Sequence, residues 1–248
     1  VSGSYKQGDG LLNNVTLDDS PDFIEDLTLR AQLKANLSSK VSATLTGQVI
    51  DTEGGAVYYA TPTNGDAKNN PDNFNNWTIQ ADQRGVGTLN STYGNLKVDF
   101  NLDKMKLTSL TTYNKSDRNA FGDLDFTPAD VLRQDQDSNT KTFNQEIRLG
   151  SVSNPNSKVN WDLGAFYQNL DKTLITPASA DFGFFAAPFQ PTGTQSSLAV
   201  GDFTNNYKTF AVFGFMDYKV SDRLTLSAGL RYDNDNISQD NRSEGTNP

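Results

Sequence analysis

The sequence has no cysteine and no histidine in its 248 residues. Without cysteine there is no disulfide framework and no thiolate metal site, and without histidine the commonest general base and metal ligand is missing. No apolar run approaches the roughly 18 residues of a helical membrane span, and the mean hydropathy is −0.60. The net charge of −9 disfavours a nucleic-acid partner. These absences argue against an enzyme, a cofactor and a nucleic-acid-binding protein.

What the sequence does contain is alternation of apolar and polar residues. In the clearest stretch, from Leu27 to Leu37, every odd position is apolar and every even position is polar. A tilted strand needs this length to cross a bilayer, so the pattern predicts an all-β fold with antiparallel transmembrane strands. Nine strands are predicted, at residues 1–7, 24–37, 41–50, 91–102, 105–115, 140–150, 158–170, 207–219 and 224–235.

The connections differ systematically in length. Short turns follow the second, fourth, sixth and eighth strands, whereas long polar loops follow the first, third, fifth and seventh, with the longest at about 51–88, 116–139 and 171–206. Outer-membrane barrels have short periplasmic turns and long extracellular loops, and we expect antiparallel hairpins across the short turns. In the second of these loops, Thr127 followed by Pro128 predicts a short helix at about 128–134.

In the fifth strand Leu107 and Leu110 fall on opposite faces, and a bulge would explain this break in the alternation. Elsewhere alternation divides the side chains into two sets. The set expected to face lipid is Leu29, Leu33, Leu45, Val98, Ile147, Leu163 and Leu226. The set expected to face the lumen is Arg30, Lys34, Lys97, Asp99, Glu146, Arg148 and Arg231. Aromatic residues fall where interface girdles are expected, with Trp161 and Tyr218 near short turns and Tyr167 and Tyr232 towards the loops.

Four segments, in this order and spacing, resemble strands of TonB-dependent outer-membrane receptors. They are Leu107–Tyr113 (LTSLTTY), Phe143–Leu149 (FNQEIRL), Trp161–Tyr167 (WDLGAFY) and Leu224–Tyr232 (LTLSAGLRY). The resemblance implies a bacterial outer-membrane receptor with a 22-stranded barrel that is closed by a plug domain. Such receptors import scarce nutrients, chiefly ferric siderophores, with energy from the TonB–ExbB–ExbD complex.

Neither the plug nor its TonB box is recognisable in this sequence, and nine strands are too few for the family's barrel. We therefore interpret residues 1–248 as part of a receptor barrel, with the export signal, the plug and the remaining strands elsewhere in a longer protein. The implied partners are outer-membrane lipid, TonB–ExbB–ExbD through the plug, and a ferric siderophore. Cobalamin and an oligosaccharide are the alternative substrates.

Aromatic residues in the long loops are the candidates for ligand contact, because loops on a rigid scaffold tend to carry function. They are Tyr58, Tyr59, Phe74, Trp77, Phe182, Phe184, Phe185 and Phe189. Packing between loops or a constriction of the lumen would explain them equally well. The charged lumen set is expected to hydrate the lumen or pair with the plug rather than bind substrate.

The spacing of Asp123 and Asp125 is found in some calcium loops, but no complete EF-hand pattern surrounds them, so no metal site is predicted. Two other functions stay open. One is a barrel with adhesive or structural loops, and the other is an outer-membrane lipase or protease, against which the missing histidine argues.

Overall fold

The computed structural model describes residues 1–56, 77–152, 157–185 and 190–245, most of which are in strands. The strands are β1 (Ser2–Gly8), β2 (Asn13–Asn14), β3 (Ile24–Asn36), β4 (Val41–Gly55), β5 (Thr78–Ile79), β6 (Val86–Leu102), β7 (Met105–Asp123), β8 (Leu132–Ser151), β9 (Val159–Ala180), β10 (Ser196–Ser221) and β11 (Leu224–Gly245). A single-turn 3₁₀ helix covers Phe182–Phe184. Within these ranges no helix is long and apolar enough to cross a membrane.

Nine strands form one antiparallel sheet in the order β1-β3-β4-β6-β7-β8-β9-β10-β11, and β2 and β5 form a separate parallel pair. Neighbours in the sheet follow each other along the chain, because each turn or loop returns the chain beside the strand it has just left. The four hairpins predicted across the short turns are confirmed as β3–β4, β6–β7, β8–β9 and β10–β11. Over the described residues the sheet stays open, with β1 and β11 at its edges.

The strands extend further towards the long loops than predicted. β7 continues to Asp123 instead of ending near 115, and β10 begins at Ser196 instead of 207. In these extensions both faces carry polar residues, so the alternation disappears although the backbone ladder continues. Asn119, for example, still pairs in register with Asp137. A sequence pattern that depends on one apolar face cannot detect a strand whose two faces are both polar.

The helix predicted at 128–134 is wrong. β8 begins at Leu132, and the preceding residues form a turn around the Asp125 carboxylate. That carboxylate accepts hydrogen bonds from the backbone N–H groups of Val131 and Leu132, at 3.2 and 2.8 Å. The Thr127 hydroxyl does accept from the N–H of Ala129, at 3.3 Å, as a cap would. The side chain of Asp125 satisfies the donors that a helix would otherwise have to pair, so the turn is an alternative to the helix.

The register gives the sheet two chemically distinct faces. All seven apolar residues of the predicted lipid-facing set share one face, the apolar face; for example, Leu33 opposes Leu45, which opposes Leu96. All seven charged residues of the predicted lumen-facing set share the other, the polar face. Leu110 lies on the polar face between Lys97 and Glu146, and the β6–β7 register runs without interruption, so the predicted bulge is absent there.

An aromatic girdle crosses the apolar face on the side of the long loops. It comprises Tyr113, Phe143, Tyr167, Phe210 and Tyr232 on β7 to β11. Tyr113 opposes Phe143, Tyr167 opposes Phe210, and the ring centroids of Phe143 and Tyr167 are 6.4 Å apart. Between these pairs the girdle shifts by two residues along the strand, because Phe143 opposes Asn169 rather than Tyr167. Such a stagger is expected for tilted barrel strands.

The two faces predict different responses to an added charge. Ile147, between Ser109 and Ala165, is on the apolar face, whereas Asn144, between Thr112 and Gln168, is on the polar face. We expect Ile147→Arg to lower the free energy of unfolding by about 2–4 kcal/mol, the cost of an arginine near the bilayer midplane. Asn144→Arg should change it by less than about 1 kcal/mol, because the lumen is hydrated. Urea unfolding in lipid vesicles measures both, and equal losses would contradict the assignment of the faces.

Candidate functional site

The polar face carries two clusters of charged side chains. In the first, Asp99 accepts salt bridges from Lys97 at 3.2 Å and from Lys106 at 3.1 Å. The Thr108 hydroxyl donates a further hydrogen bond to the same carboxylate at 2.7 Å. Three donors around one carboxylate fix its position and leave the cluster with a net positive charge.

The second cluster combines ion pairs with aromatic rings. Arg148 forms a salt bridge with Glu146, and Arg231 forms one with Asp233 at 2.7 Å. Both guanidinium groups also lie over the Phe213 ring, with their carbon atoms 5.4 and 5.6 Å from its centroid. Arg231 lies 5.7 Å from the ring of Phe166 as well. Contacts of this kind are cation–π interactions, and they hold two like charges close together on one surface.

A concavity of about 430 Å³ joins the two clusters. Its charged and polar lining is Lys97, Lys106, Thr108, Glu146, Arg148, Ser151 and Asp162. The Oδ1 atom of Asp162 is buried and has no hydrogen-bond partner among the described residues. The cavity therefore presents both ammonium and guanidinium donors and a free acceptor to whatever occupies it.

Glycine positions Phe213 on this face. Gly164 lies directly opposite Phe213, and a Cβ atom at position 164 would fall 2.1 Å from the Phe213 ring. The absence of a side chain at position 164 leaves room for the ring, which both arginines contact. Aromatic residues that cover a cross-strand glycine in this way stabilise sheets.

We expect Gly164→Ala to destabilise the protein by about 1–3 kcal/mol, because a rigid ring must move to accommodate the new methyl group. Phe213→Leu in the same chain should restore most of that loss, since leucine can move away from the methyl group. Urea unfolding of the two single variants and the double variant measures the coupling. Additive effects of the two substitutions would show that the ring does not depend on Gly164.

At the end of the sheet where the long loops lie, side-chain contacts join the connections in two groups, which we call the first and second loop layers. In the first, the buried Asn14 donates its amide hydrogen to the Ala81 carbonyl at 2.9 Å and accepts from the Ala81 N–H at 3.3 Å. Arg84 pairs with Asp19 at 3.3 Å and lies 4.2 Å above the ring of Phe23. These contacts tie the β1–β3 connection to the β4–β6 connection.

The second layer joins the β7–β8 and β9–β10 connections. Asp181 accepts from the N–H groups of Gly183, Thr192 and Gly193 at 2.9, 2.7 and 2.8 Å. Burial tends to raise the pKa of this carboxyl, but the Thr192 hydroxyl and these N–H groups hold it below the usual range. The Gln195 amide donates to the Asp130 carbonyl at 2.9 Å and so connects the two loops. The second layer is therefore built to hold a defined shape.

The fully buried Asp123 lies at the loop end of β7, well above the girdle. Burial raises its pKa to about 6, the N–H groups of Phe126 and Asp125 oppose the rise, and the charges of Asp125 and Asp82 add to it. The pKa of Asp82 is also raised, mainly by burial. Although these carboxylates are close, no three acidic side chains in the described ranges are arranged to hold a metal ion.

The raised pKa of Asp123 makes the stability of this loop depend on pH. The folded state binds the proton more tightly than the unfolded chain, so stability falls as pH rises from about 4 to 6 and the penalty is complete above that range. Asn at position 123 keeps the acceptor for the Asp125 and Phe126 N–H groups but carries no charge. We expect Asp123→Asn to stabilise the loop at pH 7.5 by on the order of 1 kcal/mol, allowing for solvent screening.

Hydrogen exchange of the amides of residues 124–132, corrected for intrinsic rates, measures this change at pH 3.5 and pH 7.5. The variant should be more protected than the wild type at pH 7.5 and similar to it at pH 3.5, below the range in which the penalty develops. Asp202→Asn, which removes an aspartate from β10, is the control and should leave these amides unchanged. A loop that opens more readily in Asp123→Asn at pH 7.5 would contradict the prediction.

The predicted ligand residues are only partly described. Tyr58, Tyr59, Phe74 and Phe189 lie outside the described residues. Trp77 is 64% exposed and its carbonyl accepts from the Asn13 N–H at 2.8 Å. Phe182 and Phe184 are half-buried in the 3₁₀ helix, and Phe185, at its end, is 57% exposed. Their role as ligand contacts stays a prediction.

The predicted charged residues separate into groups. Lys97 and Asp99 meet in the first cluster, and Glu146, Arg148 and Arg231 meet in the second, whereas Arg30 and Lys34 lie apart on β3. Sequence reasoning missed Lys106, Asp162, Phe166 and Phe213. A signal for the aromatic pair was present, because Phe166 and Phe213 occupy the polar phase of their strands, where a large ring is unusual.

Two kinds of comparison agree with this architecture. The model of the TonB-dependent receptor-like β-barrel family matches residues 26–248. The ferric yersiniabactin uptake receptor FyuA from Yersinia pestis aligns over 97% of this chain and 34% of its own, with a TM-score of 0.71 and 11% identity. P. aeruginosa FpvA, solved with heterologous pyoverdines, aligns over 98% of this chain and 34% of its own, with a TM-score of 0.65 and 11% identity.

The ferric citrate transporter FecA in its unliganded form aligns over 89% of this chain and 31% of its own, with a TM-score of 0.61 and 13% identity. At such identities the structural likeness shows the fold alone. The chain spans about a third of the length of these three solved chains. The family consists of transport receptors of the bacterial outer membrane rather than enzymes. This chain belongs to the TonB-dependent receptor-like β-barrel family.

Proposed function

We propose that this chain is the wall of an outer-membrane receptor that takes up a ferric siderophore with energy from TonB. The single observation that carries the proposal is the match of the receptor-barrel family model to residues 26–248. Several similar solved structures are receptors for iron chelates, among them the ferric yersiniabactin uptake receptor and the ferric preacinetobactin receptor, and this supports an iron chelate as the substrate.

In this proposal residues 1–248 are a partial barrel domain. The short turns face the periplasm and the long connections face the medium, as in other outer-membrane barrels. The plug and its TonB box belong to the rest of the receptor and contact TonB–ExbB–ExbD. The two sheet edges support this view, because an open edge inside a bilayer leaves backbone groups without partners and must continue into further strands.

The polar face has chemistry that suits a ligand with both hydrogen-bond donors and acceptors, as a metal chelate has. Lys97 and Lys106 border the concavity from one side and Arg148 from the other, and Glu146 and Asp162 line it as well. The concavity therefore offers cationic donors and carboxylate acceptors side by side. The aromatic residues of the second loop layer lie nearer the entrance, where a flat chelating ring can stack on them.

The loop prediction is tested in the full-length receptor with Phe185→Ala. Phe185 is exposed at the end of the 3₁₀ helix, so its removal should leave barrel assembly unchanged. We expect uptake of the cognate ⁵⁵Fe-labelled siderophore to fall by about five- to tenfold at sub-saturating concentration, the loss expected for one aromatic contact. Heat-modifiable migration on gels reports assembly in the same cells.

Leu11→Ala is the matched control, because Leu11 is an exposed apolar residue of the other loop layer. Its uptake should equal that of the wild type. Normal uptake by the Phe185→Ala receptor would remove this residue from the site. If no iron chelate is taken up in a TonB-dependent manner by the wild-type receptor, the proposed substrate is wrong, and cobalamin and oligosaccharides are the next ligands to assay.

A further inference from the structure

The polar face carries an apolar patch on the loop side of the girdle level, at positions where alternation predicts polar residues. Its members lie on β9, β10 and β11 in two rows of the register: Leu170, Tyr207 and Ile237 form the lower row, and Leu174 and Phe203 form the upper row. We call these five residues the vestibule patch. Tyr207 lies three residues and Phe203 seven residues beyond the girdle residue Phe210, or about 10 and 24 Å towards the loops.

A concavity of about 340 Å³ lies over the lower row, and its lining includes Leu170, Tyr207 and Ile237. In the upper row, a Cβ atom at position 201 would fall 2.7 Å from the Phe203 ring, so Gly201 leaves room for that ring. Apolar side chains that are grouped on a water-facing wall mark a contact with a ligand or a partner. The vestibule patch is therefore a candidate binding surface.

The charged residues around the patch are segregated by sign. Between the girdle level and the loop ends, the charged side chains on the polar face of β7–β10 are Arg118 and Lys172 alone, within the described ranges. Both are exposed, and neither forms a salt bridge with any residue that the structure describes. Acids of the same strand extensions lie on the opposite face, among them Asp117, Asp137 and Asp171. An inner surface that carries only cations attracts an anion.

Lys172 occupies the row between the two apolar rows, each about 7 Å away along the strand. It faces Asn205 across the β9–β10 ladder, and the Oδ1 atom of Asn205 is buried without a hydrogen-bond partner in the described part of the chain. Arg118 lies two strands away on β7, in the upper row. The acid that lines the concavity, Asp235, lies below the lower row and accepts from the Thr209 hydroxyl at 2.6 Å. The surface therefore suits an anionic centre with apolar groups on both sides.

We propose that the vestibule patch, Lys172 and Arg118 together select the substrate, a chelate with a net negative charge whose iron is held by aryl oxygens. In such a chelate the rings are attached directly to the oxygen atoms around the metal, so an anionic centre is flanked by rings. The rings contact the two apolar rows, and the two cations attract the charge between them. The Asn205 amide oxygen accepts a hydrogen bond from an N–H or O–H group of the ligand. This inference rests on the proposed uptake of an iron chelate and narrows it to one chemical class.

Three ferric complexes separate the effect of charge from that of the ring. The complex of 2,3-dihydroxybenzoate is anionic and has aryl rings, the complex of citrate is anionic and has none, and the complex of desferrioxamine B is cationic and has none. Equilibrium binding of each ⁵⁵Fe-labelled complex to the full-length receptor in detergent gives the three affinities. We expect the wild type to bind the dihydroxybenzoate complex about tenfold more tightly than the citrate complex, and the desferrioxamine complex most weakly.

Two variants assign the selectivity to residues. Lys172→Gln should weaken binding of both anionic complexes by about fivefold and leave the desferrioxamine complex unchanged. Phe203→Leu/Tyr207→Leu should weaken only the dihydroxybenzoate complex, by about fivefold. The matched controls are Lys141→Gln, an exposed lysine of the neighbouring strand β8 that lies on the opposite face, and Phe210→Leu, on the apolar face of β10. Both controls should bind all three complexes as the wild type does.

Equal affinity of the wild type for the dihydroxybenzoate and desferrioxamine complexes would overturn the proposal, as would equal effects of Lys172→Gln and Lys141→Gln. If the patch packs against the plug instead, Phe203→Leu/Tyr207→Leu will lower the melting temperature and leave the selectivity intact, which also overturns it. TonB-dependent iron uptake by whole cells tests the proposed function separately. Selective binding without uptake would refute transport alone, and uptake of a chelate that lacks rings and negative charge would refute the selectivity alone.

Discussion

The backbone hydrogen-bond ladder of the nine-stranded sheet is the constraint on which the rest of the molecule depends. A strand in a bilayer has no water to satisfy its N–H and C=O groups, so each must pair with a neighbouring strand. Once the ladder is set, side chains alternate between two faces, and a slip of one residue would exchange the faces. The register Leu33–Leu45–Leu96 on one face and Lys34–Thr44–Lys97 on the other therefore fixes the lipid surface and the inner wall together.

Each face then uses its side chains in a different way. On the polar face, charges neutralise one another within the sheet, as Lys97 and Lys106 do with Asp99, or rest on an aromatic ring, as Arg148 does on Phe213. At the loop end, carboxylates accept backbone N–H groups instead. Asp125 and Asp181 each gather donors from several residues, which gives short irregular loops a defined conformation without secondary structure.

The contacts available to other molecules divide along the same boundary. The inner wall and the loop layers offer cations, carboxylate acceptors and aromatic rings to a soluble ligand, whereas the apolar face offers an aromatic girdle and aliphatic side chains to lipid. Lys172 and Lys208 lie on adjacent strands, yet the alternation assigns one to the lumen side and the other to the lipid side.

The sequence by itself determined the strands that cross the membrane, their hairpin pairing and the two faces, because a bilayer on one side and water on the other impose a period of two. It did not determine the strand extensions, where Asn119 and Asp137 pair although both faces are polar, nor the turn around Asp125 that replaced the expected helix. Only the tertiary structure brought Arg148 and Arg231 onto Phe213. That arrangement depends on the stagger between strands distant in sequence, and alternation within a strand carries no information about stagger.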